Sequence, residues 1–171
     1  MAVVGVLALQ GDFAKHLEAL GRCGCEARPV RADKELEGCE RLIIPGGEST
    51  TLGVLLQKAD LDRAIRQKIA GGMPVWGTCM GMILLAKEIE GSDQFRFGVL
   101  DICVARNAFG AQVHSFEADL LVRGFESTFR AVFIRAPVVT RVGKDVEVLA
   151  TYENKIVAVK QGCLLATAFH P

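Results

Sequence analysis

Short apolar runs alternate with amphipathic stretches over the first half of the chain. The runs have strand length and no polar alternation, which is typical of buried parallel strands; they span residues 3–9, 27–30, 41–45 and 74–78. Helical spacing between them predicts helices at residues 13–22, from residue 49, at 61–70, and from Cys79 to about Ile89. This alternation predicts βαβ units and a parallel sheet.

Strand-like segments dominate after Gly98, and turn residues separate them. They cover residues 101–105, 129–134, 146–152, 156–160 and 164–168. We expect this half to add antiparallel strands to the sheet edge. The predicted fold is therefore an α/β single domain over residues 1–171, with three layers and a mostly parallel central sheet flanked by helices.

Composition narrows the class of protein. The 171 residues suit one domain, half of them are hydrophobic, and the zero formal net charge argues against a nucleic-acid partner. We find neither a signal-peptide pattern nor an apolar run long enough for a bilayer, so we expect a cytoplasmic location and no membrane partner. The six cysteines form no CxxC pair, which disfavours zinc sites, and a reducing compartment disfavours disulfides.

The sharpest chemical signal is the sequence WGTCMG at residues 76–81, between a predicted strand and a predicted helix. Its form, G-x-C-x-G, is the thiol version of the nucleophile elbow. Gly77 and Gly81 give strand and helix room to approach, and the following helix N-terminus favours a thiolate at Cys79. A buried cysteine in a glycine-rich turn is the alternative explanation.

A thiol nucleophile needs a base, and three histidines are available. His16 falls in the first predicted helix beside charged residues, which predicts a surface position. His114 lies in a polar stretch, residues 112–115, that suits a loop or an edge strand. His170 follows the last predicted strand. If that strand runs parallel to the one before Cys79, both side chains reach the same edge of the sheet.

Two further segments suit a binding site. Gly46 and Gly47 follow a buried strand, where free backbone N–H groups are able to stabilise an oxyanion, although a simple strand-to-helix turn explains them too. Arg106 follows another strand, and a guanidinium there suits a substrate carboxylate. No phosphate-binding glycine motif is present in the sequence, so nucleotide binding is disfavoured.

Six segments together resemble a known family: GVLALQGDFAKH, LIIPGGESTTLG, VWGTCMGMILLAKE, RNAFGAQVHSFEADL, FRAVFIRAP and LLATAFHP. They cover nearly the whole chain, in order. The chain resembles the class I (triad) glutamine amidotransferases, and among them the glutaminase subunits that supply ammonia for pyridoxal 5′-phosphate synthesis. The resemblance implies hydrolysis of L-glutamine to L-glutamate and ammonia, and transfer of the ammonia to a synthase partner.

The resemblance also assigns roles to residues. Cys79 is the implied nucleophile, His170 is the implied base, and the N–H groups of Gly47 and Met80 form the implied oxyanion hole. The residues implied to bind glutamine are Gly47, Glu48, Ser49, Arg106, Ile134 and Arg135.

The implied partner is the barrel subunit of pyridoxal 5′-phosphate synthase. Gln10 is a candidate for sensing that partner, because its loop borders the same edge of the sheet. The resemblance further implies activation on complex formation, through the loop around Gly46 and Gly47. We expect no cofactor and no metal in this subunit.

The sequence departs from the family pattern in two places. The family has a small residue after the nucleophile where this chain has Met80, which leaves the N–H in place but narrows access. The family motif runs His-Pro-Glu, whereas this sequence ends at Pro171. We therefore expect a truncated C-terminal end and, without the acid that orients the imidazole, an activity lower by about 10⁴-fold.

Three alternatives follow from these observations. The chain is a non-catalytic partner subunit that keeps the fold, a glutaminase subunit serving another synthase, or a thiol stress protein or cysteine peptidase on a similar sheet. The third alternative lacks the PGGES and FHP segments, and a glutaminase assay separates the first from the others.

Overall fold

The computed structural model describes residues 1–110 and 114–171. Strands and helices alternate in the first half of the chain: β1 (Val3–Leu7), α1 (Phe13–Arg22), β2 (Glu26–Val30), α2 (Asp33–Leu36), β3 (Arg41–Ile44), α3 (Ser49–Lys58), α4 (Leu61–Ala70), β4 (Val75–Thr78) and α5 (Met80–Leu85). Strands follow one another in the second half: β5 (Ala86–Ile89), β6 (Leu100–Ala105), β7 (Ser115–Leu120), β8 (Phe129–Ile134), β9 (Val138–Val142), β10 (Glu147–Tyr152), β11 (Lys155–Gln161) and β12 (Leu164–Thr167).

Most strands of the described residues join one sheet, in the order β2-β1-β3-β4-β12-β11-β9-β6-β5, with β10 paired to β11. The first five strands in this order are mutually parallel. Strands β11 and β9 then introduce antiparallel pairing, while β7 and β8 form a separate antiparallel pair. The predicted α/β class with a mostly parallel sheet and added antiparallel strands is confirmed.

The sheet carries apolar side chains on both faces, as the sequence runs predict. On one face Val4, Val6 and Ile43 pack against side chains of α1, including Leu17 and Leu20. The other face belongs to a larger core that includes the buried side chains of α3, α4 and α5. Burial of each large aliphatic side chain contributes about 1.5–3 kcal/mol, so the strands are held from both sides.

The predicted helix after Cys79 is too long. It ends at Leu85, and residues 86–89 form β5, which pairs in parallel with β6. Ala86 and Ile89 are buried whereas Lys87 and Glu88 are exposed. Strand pairing places the two apolar residues in the core and satisfies the backbone through the sheet, and these tertiary contacts outweigh the helical propensity of the sequence AKEI.

None of the helices in residues 1–110 and 114–171 is both long enough and apolar enough to cross a membrane.

Candidate active site

Cys79 lies between β4 and α5 in a backbone conformation that few L-residues adopt, with φ 51° and ψ −104°. Its N–H donates to the carbonyl of Thr167 at 2.7 Å, and its carbonyl accepts from the N–H of Met82 at 3.0 Å. These bonds tie the turn to β12 on one side and to α5 on the other. The surrounding structure therefore enforces the strained conformation, which is the geometry of a nucleophile elbow.

The two glycines of the elbow are required by close backbone packing. A Cβ on Gly81 would collide with the carbonyl oxygen of Ile44, and one on Gly77 would collide with the carbonyl oxygen of Gly81. Backbone atoms cannot move aside as a flexible side chain does. The predicted role of Gly77 and Gly81, to let strand and helix approach, is therefore visible in the packing.

The thiol of Cys79 is 7% exposed, and its Sγ lies 3.8 Å from the carbonyl oxygen of Ile134. Burial raises the pKa of this thiol to about 11, while the N–H of Met80 acts in the opposite direction by stabilising the thiolate. The resting side chain is therefore a protonated thiol near neutral pH. A base must remove its proton before the sulfur attacks.

His170 follows β12, which runs parallel to β4 with Thr167 opposite Thr78. Its backbone forms an isolated bridge with Val132, and its ring rests on the backbone of Gly46. A Cβ on Gly46 would lie 3.2 Å from His170 Nδ1 and 3.3 Å from Nε2, so the ring occupies the space that a side chain would need. The condition set by the sequence, that this strand is parallel to the one before Cys79, is met.

Burial lowers the pKa of His170 below its ordinary value; nearby Asp12 raises it and Lys15 lowers it. The imidazole is consequently neutral near neutral pH and able to accept a proton. A buried neutral thiol and a neutral imidazole at one edge of the sheet suit general-base activation of the thiol.

His16 does not lie on the surface, so that prediction is wrong. It is 6% exposed, with Nε2 3.4 Å from Thr78 Oγ1 and its ring edge-on to Trp76. Burial lowers its pKa, as does the nearby His170, while Asp12 raises it. A helical face turned toward the sheet carries this histidine into the core, where Thr78 provides a polar contact.

One cavity of about 980 Å³ lies beside the elbow. It brings together every residue that the sequence predicts for the site: Gly47, Glu48, Ser49, Cys79, Met80, Arg106, Ile134, Arg135 and His170. His114 and Ser115 also line it, while Gln112 and Val113 of the same polar stretch lie outside the described residues. The cavity is also lined by four residues outside the predicted set, namely Asp12, Ile83, Glu90 and Asn107.

The loop after β3 forms one wall of the cavity and is held by the loop after β1. The carbonyl of Gly46 accepts from the N–H of Asp12 at 2.9 Å, and the N–H of Glu48 donates to Gln10 Oε1 at 3.0 Å. A Cβ on Gly47 would lie 2.5 Å from the same Gln10 oxygen. Gln10 therefore contacts the loop that carries Gly47, whose N–H is predicted to form the oxyanion hole together with that of Met80.

The Glu48 carboxylate caps α3. It accepts from the N–H groups of Thr50 and Thr51 at 3.0 and 2.7 Å, and from Thr51 Oγ1 at 2.6 Å. The hydroxyl of Thr51 is the main cause that lowers the pKa of Glu48 to about 2. The group is therefore a fixed anion at the cavity wall, which is the charge that the predicted binding of an α-ammonium requires.

Met80 is 1% exposed, so its side chain belongs to the core beneath the elbow. Met80 is also one of the residues that line the cavity. The side chain is therefore packed in the core, and the expected effect of Met80 on access to the cavity stays a prediction.

The opposite wall comes from the antiparallel half of the chain. Arg106 follows β6, Ile134 ends β8, and Arg135 has a positive φ of 46°. The N–H of Arg135 donates to the carbonyl of His114 at 2.9 Å. Ile134 is 44% exposed at the cavity, although it is a large apolar side chain.

A thiol on a strained elbow and a neutral imidazole at one cavity are the arrangement that acyl transfer through a thioester requires. Residues 6–171 match the family model described as the SNO glutamine amidotransferase family. The chain belongs to this family of glutamine amidotransferases.

Similar proteins agree with this membership. The chain is 56% identical to the pyridoxal 5′-phosphate synthase subunit PdxT of Pelotomaculum thermopropionicum, over 98% of this chain and 86% of the relative. It is also 56% identical to PdxT of Thermus thermophilus, over 99% and 89%. A solved structure described as a glutamine amidotransferase superposes with a TM-score of 0.95 at 53% identity, over 99% of this chain and 90% of that one.

Proposed function

We propose that this chain is the glutaminase subunit of a pyridoxal 5′-phosphate synthase. It hydrolyses L-glutamine to L-glutamate and ammonia, and the ammonia passes to the synthase subunit. The observation that carries the proposal is that the strained Cys79 and the neutral His170 meet at one cavity with the loop after β3 and with Arg106. Similarity to PdxT subunits supports the choice of synthase.

In the first half of the reaction His170 accepts the proton of the Cys79 thiol, and the sulfur attacks the side-chain amide carbon of glutamine. The N–H groups of Gly47 and Met80 stabilise the oxyanion that forms. His170 then returns its proton to the amide nitrogen, so that the C–N bond breaks and ammonia leaves. The product on the enzyme is a glutamyl thioester.

In the second half His170 accepts a proton from water, and the resulting hydroxide attacks the thioester carbon. The C–S bond breaks, the sulfur recovers its proton, and glutamate is released. The raised pKa of Cys79 supports this assignment. Because this thiol is protonated at rest, the imidazole must remove its proton in every catalytic cycle. A thiol that is not ionised at rest is also less open to oxidation.

The walls of the cavity supply the charges that recognise the amino-acid end of glutamine. The Glu48 carboxylate suits the α-ammonium group, and the Arg106 guanidinium suits the α-carboxylate. Ser49, Ile134 and Arg135 complete the proposed binding surface. This division places the two charged ends of the substrate on different elements of the fold.

We further propose that the partner is the barrel-shaped synthase subunit of PdxS type and that it activates the glutaminase. The support is the bond between Gln10 Oε1 and the N–H of Glu48, which couples the β1–α1 loop to the oxyanion loop. Gln10→Ala should reduce stimulation by the partner several-fold while basal turnover changes little. Equal stimulation of Gln10→Ala and the unchanged chain would contradict this role.

Residues 1–171 are proposed to act as one amidotransferase domain in the cytoplasm.

The test is release of glutamate from L-glutamine by this chain, with and without the synthase subunit, beside Cys79→Ala. We expect turnover that requires Cys79 and rises with the partner. Absence of turnover in both conditions would contradict the proposal and would favour a non-catalytic partner subunit.

A further inference from the structure

Gln94 joins two walls of the cavity without being predicted for the site. Its Nε2 donates to Ser49 Oγ at 2.8 Å, and its Oε1 accepts from Arg106 Nη1 at 2.8 Å. Ser49 begins α3 and Arg106 follows β6, so the amide spans elements from the two halves of the fold. Both of its partners line the cavity.

The chemistry of the three groups fixes the direction of these hydrogen bonds. A guanidinium only donates, so the Gln94 oxygen must face Arg106 and its NH₂ group must face Ser49. The Ser49 oxygen then accepts a hydrogen bond from the Gln94 NH₂ group, which leaves the serine hydroxyl free to donate its own hydrogen elsewhere. Within residues 1–110 and 114–171, Arg106 uses one of its five N–H donors on Gln94, and the others remain for a ligand.

The segment that carries Gln94 is anchored to the helical layer. Phe95 packs on Gly53 of α3, where a Cβ would lie 3.0 Å from the phenylalanine Cβ. The guanidinium of Arg66, in α4, donates to the Arg96 carbonyl at 2.9 Å and lies over the Phe95 and Phe97 rings. These contacts hold the segment of Gln94 in place, so its two hydrogen bonds belong to a fixed part of the structure.

We propose that Gln94 is a positioning residue that aims Ser49 and Arg106 at the α-carboxylate of the substrate. The inference rests on the proposed function, since it concerns the substrate of that site. The amide holds the cationic group in place without neutralising it, and it turns the serine hydroxyl into a donor. Two donors then converge on one anion, although neither is adjacent to the other in sequence.

The substitution Gln94→Glu is the most informative change, because it keeps the size and shape of the side chain but removes its hydrogen-bond donor. A carboxylate at this position pairs with Arg106 and offers no donor to Ser49, so the serine hydroxyl donates to it instead of to the substrate. We expect kcat/KM for L-glutamine to fall about 10–100-fold, mainly through KM, since hydrogen bonds to a charged group are lost. Gln94→Met, which removes both bonds without adding charge, should lower it about tenfold.

The experiment compares L-glutamine with 4-aminobutanamide, which has the same amide and amine but no α-carboxylate. The complex with the synthase subunit is assayed for the unchanged chain, for both Gln94 variants and for Gln57→Glu. Gln57 lies exposed on α3 and supplies the matched control for the change in charge. For 4-aminobutanamide we expect the Gln94 variants to change kcat/KM less than about threefold, because the groups they disturb have no partner on that substrate.

Equal losses for the two amides would overturn the inference, since a purely structural role affects every substrate alike. Unchanged kinetics with L-glutamine in both Gln94 variants would overturn it as well. If the unchanged complex fails to hydrolyse L-glutamine, the proposed function fails separately. Calorimetric affinity of L-glutamine for Cys79→Ala, with and without Gln94→Glu, then decides the inference: it stands only if the second substitution weakens binding at least about tenfold.

Discussion

The two halves of the chain contribute to the cavity in different ways. In the parallel half, Cys79 and the loop around Gly47 each follow directly after a strand, and the groups proposed to act in the reaction are backbone N–H groups and one thiol. In the antiparallel half, Arg106 and Ile134 come from strands that pair with distant segments, and β8 bonds to the residue that bears the imidazole through Val132. In the proposed mechanism, the parallel half supplies the nucleophile, the oxyanion loop and the Glu48 carboxylate for the α-ammonium group. The antiparallel half supplies the receiving wall, Arg106 and Ile134, which is proposed to face the α-carboxylate of the substrate.

This difference has a physical origin. The carboxyl ends of parallel strands meet at one edge of a sheet, so a short local motif is enough to place a nucleophile there. Antiparallel strands and their loops have no such common edge, and each side chain is placed by its own tertiary contacts. The reacting centre should therefore tolerate little change in its local sequence, whereas the receiving wall should respond gradually to changes in its side chains.

The largest expected effect comes from removing the nucleophile. Cys79→Ala should lower glutamine turnover by about 10⁴-fold or more, because the thioester cannot form. Initial rates of glutamate release in the complex measure this. The matched control is Cys163→Ala, whose thiol is exposed in the turn before β12 and should leave the rate within about twofold. Residual turnover above one per cent in Cys79→Ala would contradict the covalent mechanism.

The next effect concerns the backbone of the elbow. In Gly81→Ala the new methyl group collides with the Ile44 carbonyl, so the elbow has to move away from β3. We expect a loss of at least about 10²-fold in kcat and a fall of about 2–4 kcal/mol in the free energy of unfolding. The assay is repeated beside urea denaturation monitored by circular dichroism.

Gly21→Ala is the control for this change. Gly21 lies in α1, where a Cβ meets nothing within 4 Å, so alanine should stabilise the helix by about 0.5–1 kcal/mol and leave turnover unchanged. If Gly81→Ala behaves like Gly21→Ala, the close packing of the elbow does not limit the enzyme.

The contrast between the halves also explains which features of the fold and the site are predictable from the sequence. Parallel strands and the elbow are predicted because apolar runs and glycine spacing are local signals, and β8 is predicted at its observed bounds. The family resemblance, confirmed by the matching family model, then names residues of both halves. Their roles stay predictions, although their convergence on one cavity is what those roles require.

The features that the sequence does not predict correctly are mainly those that tertiary contacts determine. The burial of His16 depends on which face of α1 turns toward Thr78, and strand β5 exists because β6 pairs with it. Gln94 has no local signal at all, since its two partners lie 45 and 12 residues away in sequence. Strand β9 is a different case: its β-branched residues after Pro137 are a usable local strand signal, although the predicted strands do not include it.

A moderate effect is expected on the receiving wall. Arg106→Ala should raise KM for L-glutamine about 10–100-fold and change kcat less, because the guanidinium is proposed to bind the α-carboxylate rather than the reacting amide. Arg141→Ala is the control, since Arg141 forms exposed ion pairs with Glu88 and Asp101 that contribute about 0–1 kcal/mol each. A dominant loss in kcat would place Arg106 in the chemistry itself and weaken the division between the two halves.

The smallest effect is a shift in pH dependence, and it tests whether the two buried groups act as a neutral pair. Burial lowers the pKa of His170, so the protonated, inactive imidazole should appear only below its ordinary value of 6.5. Burial raises the pKa of Cys79 to about 11, so direct ionisation of the thiol should add nothing between pH 7 and 9. We therefore expect kcat/KM for L-glutamine to rise up to about pH 6.5 and then to stay level, when measured in the complex from pH 5 to 9.5. A rate that keeps climbing tenfold per pH unit above 7 would mean that free thiolate is the nucleophile and that His170 does not remove its proton.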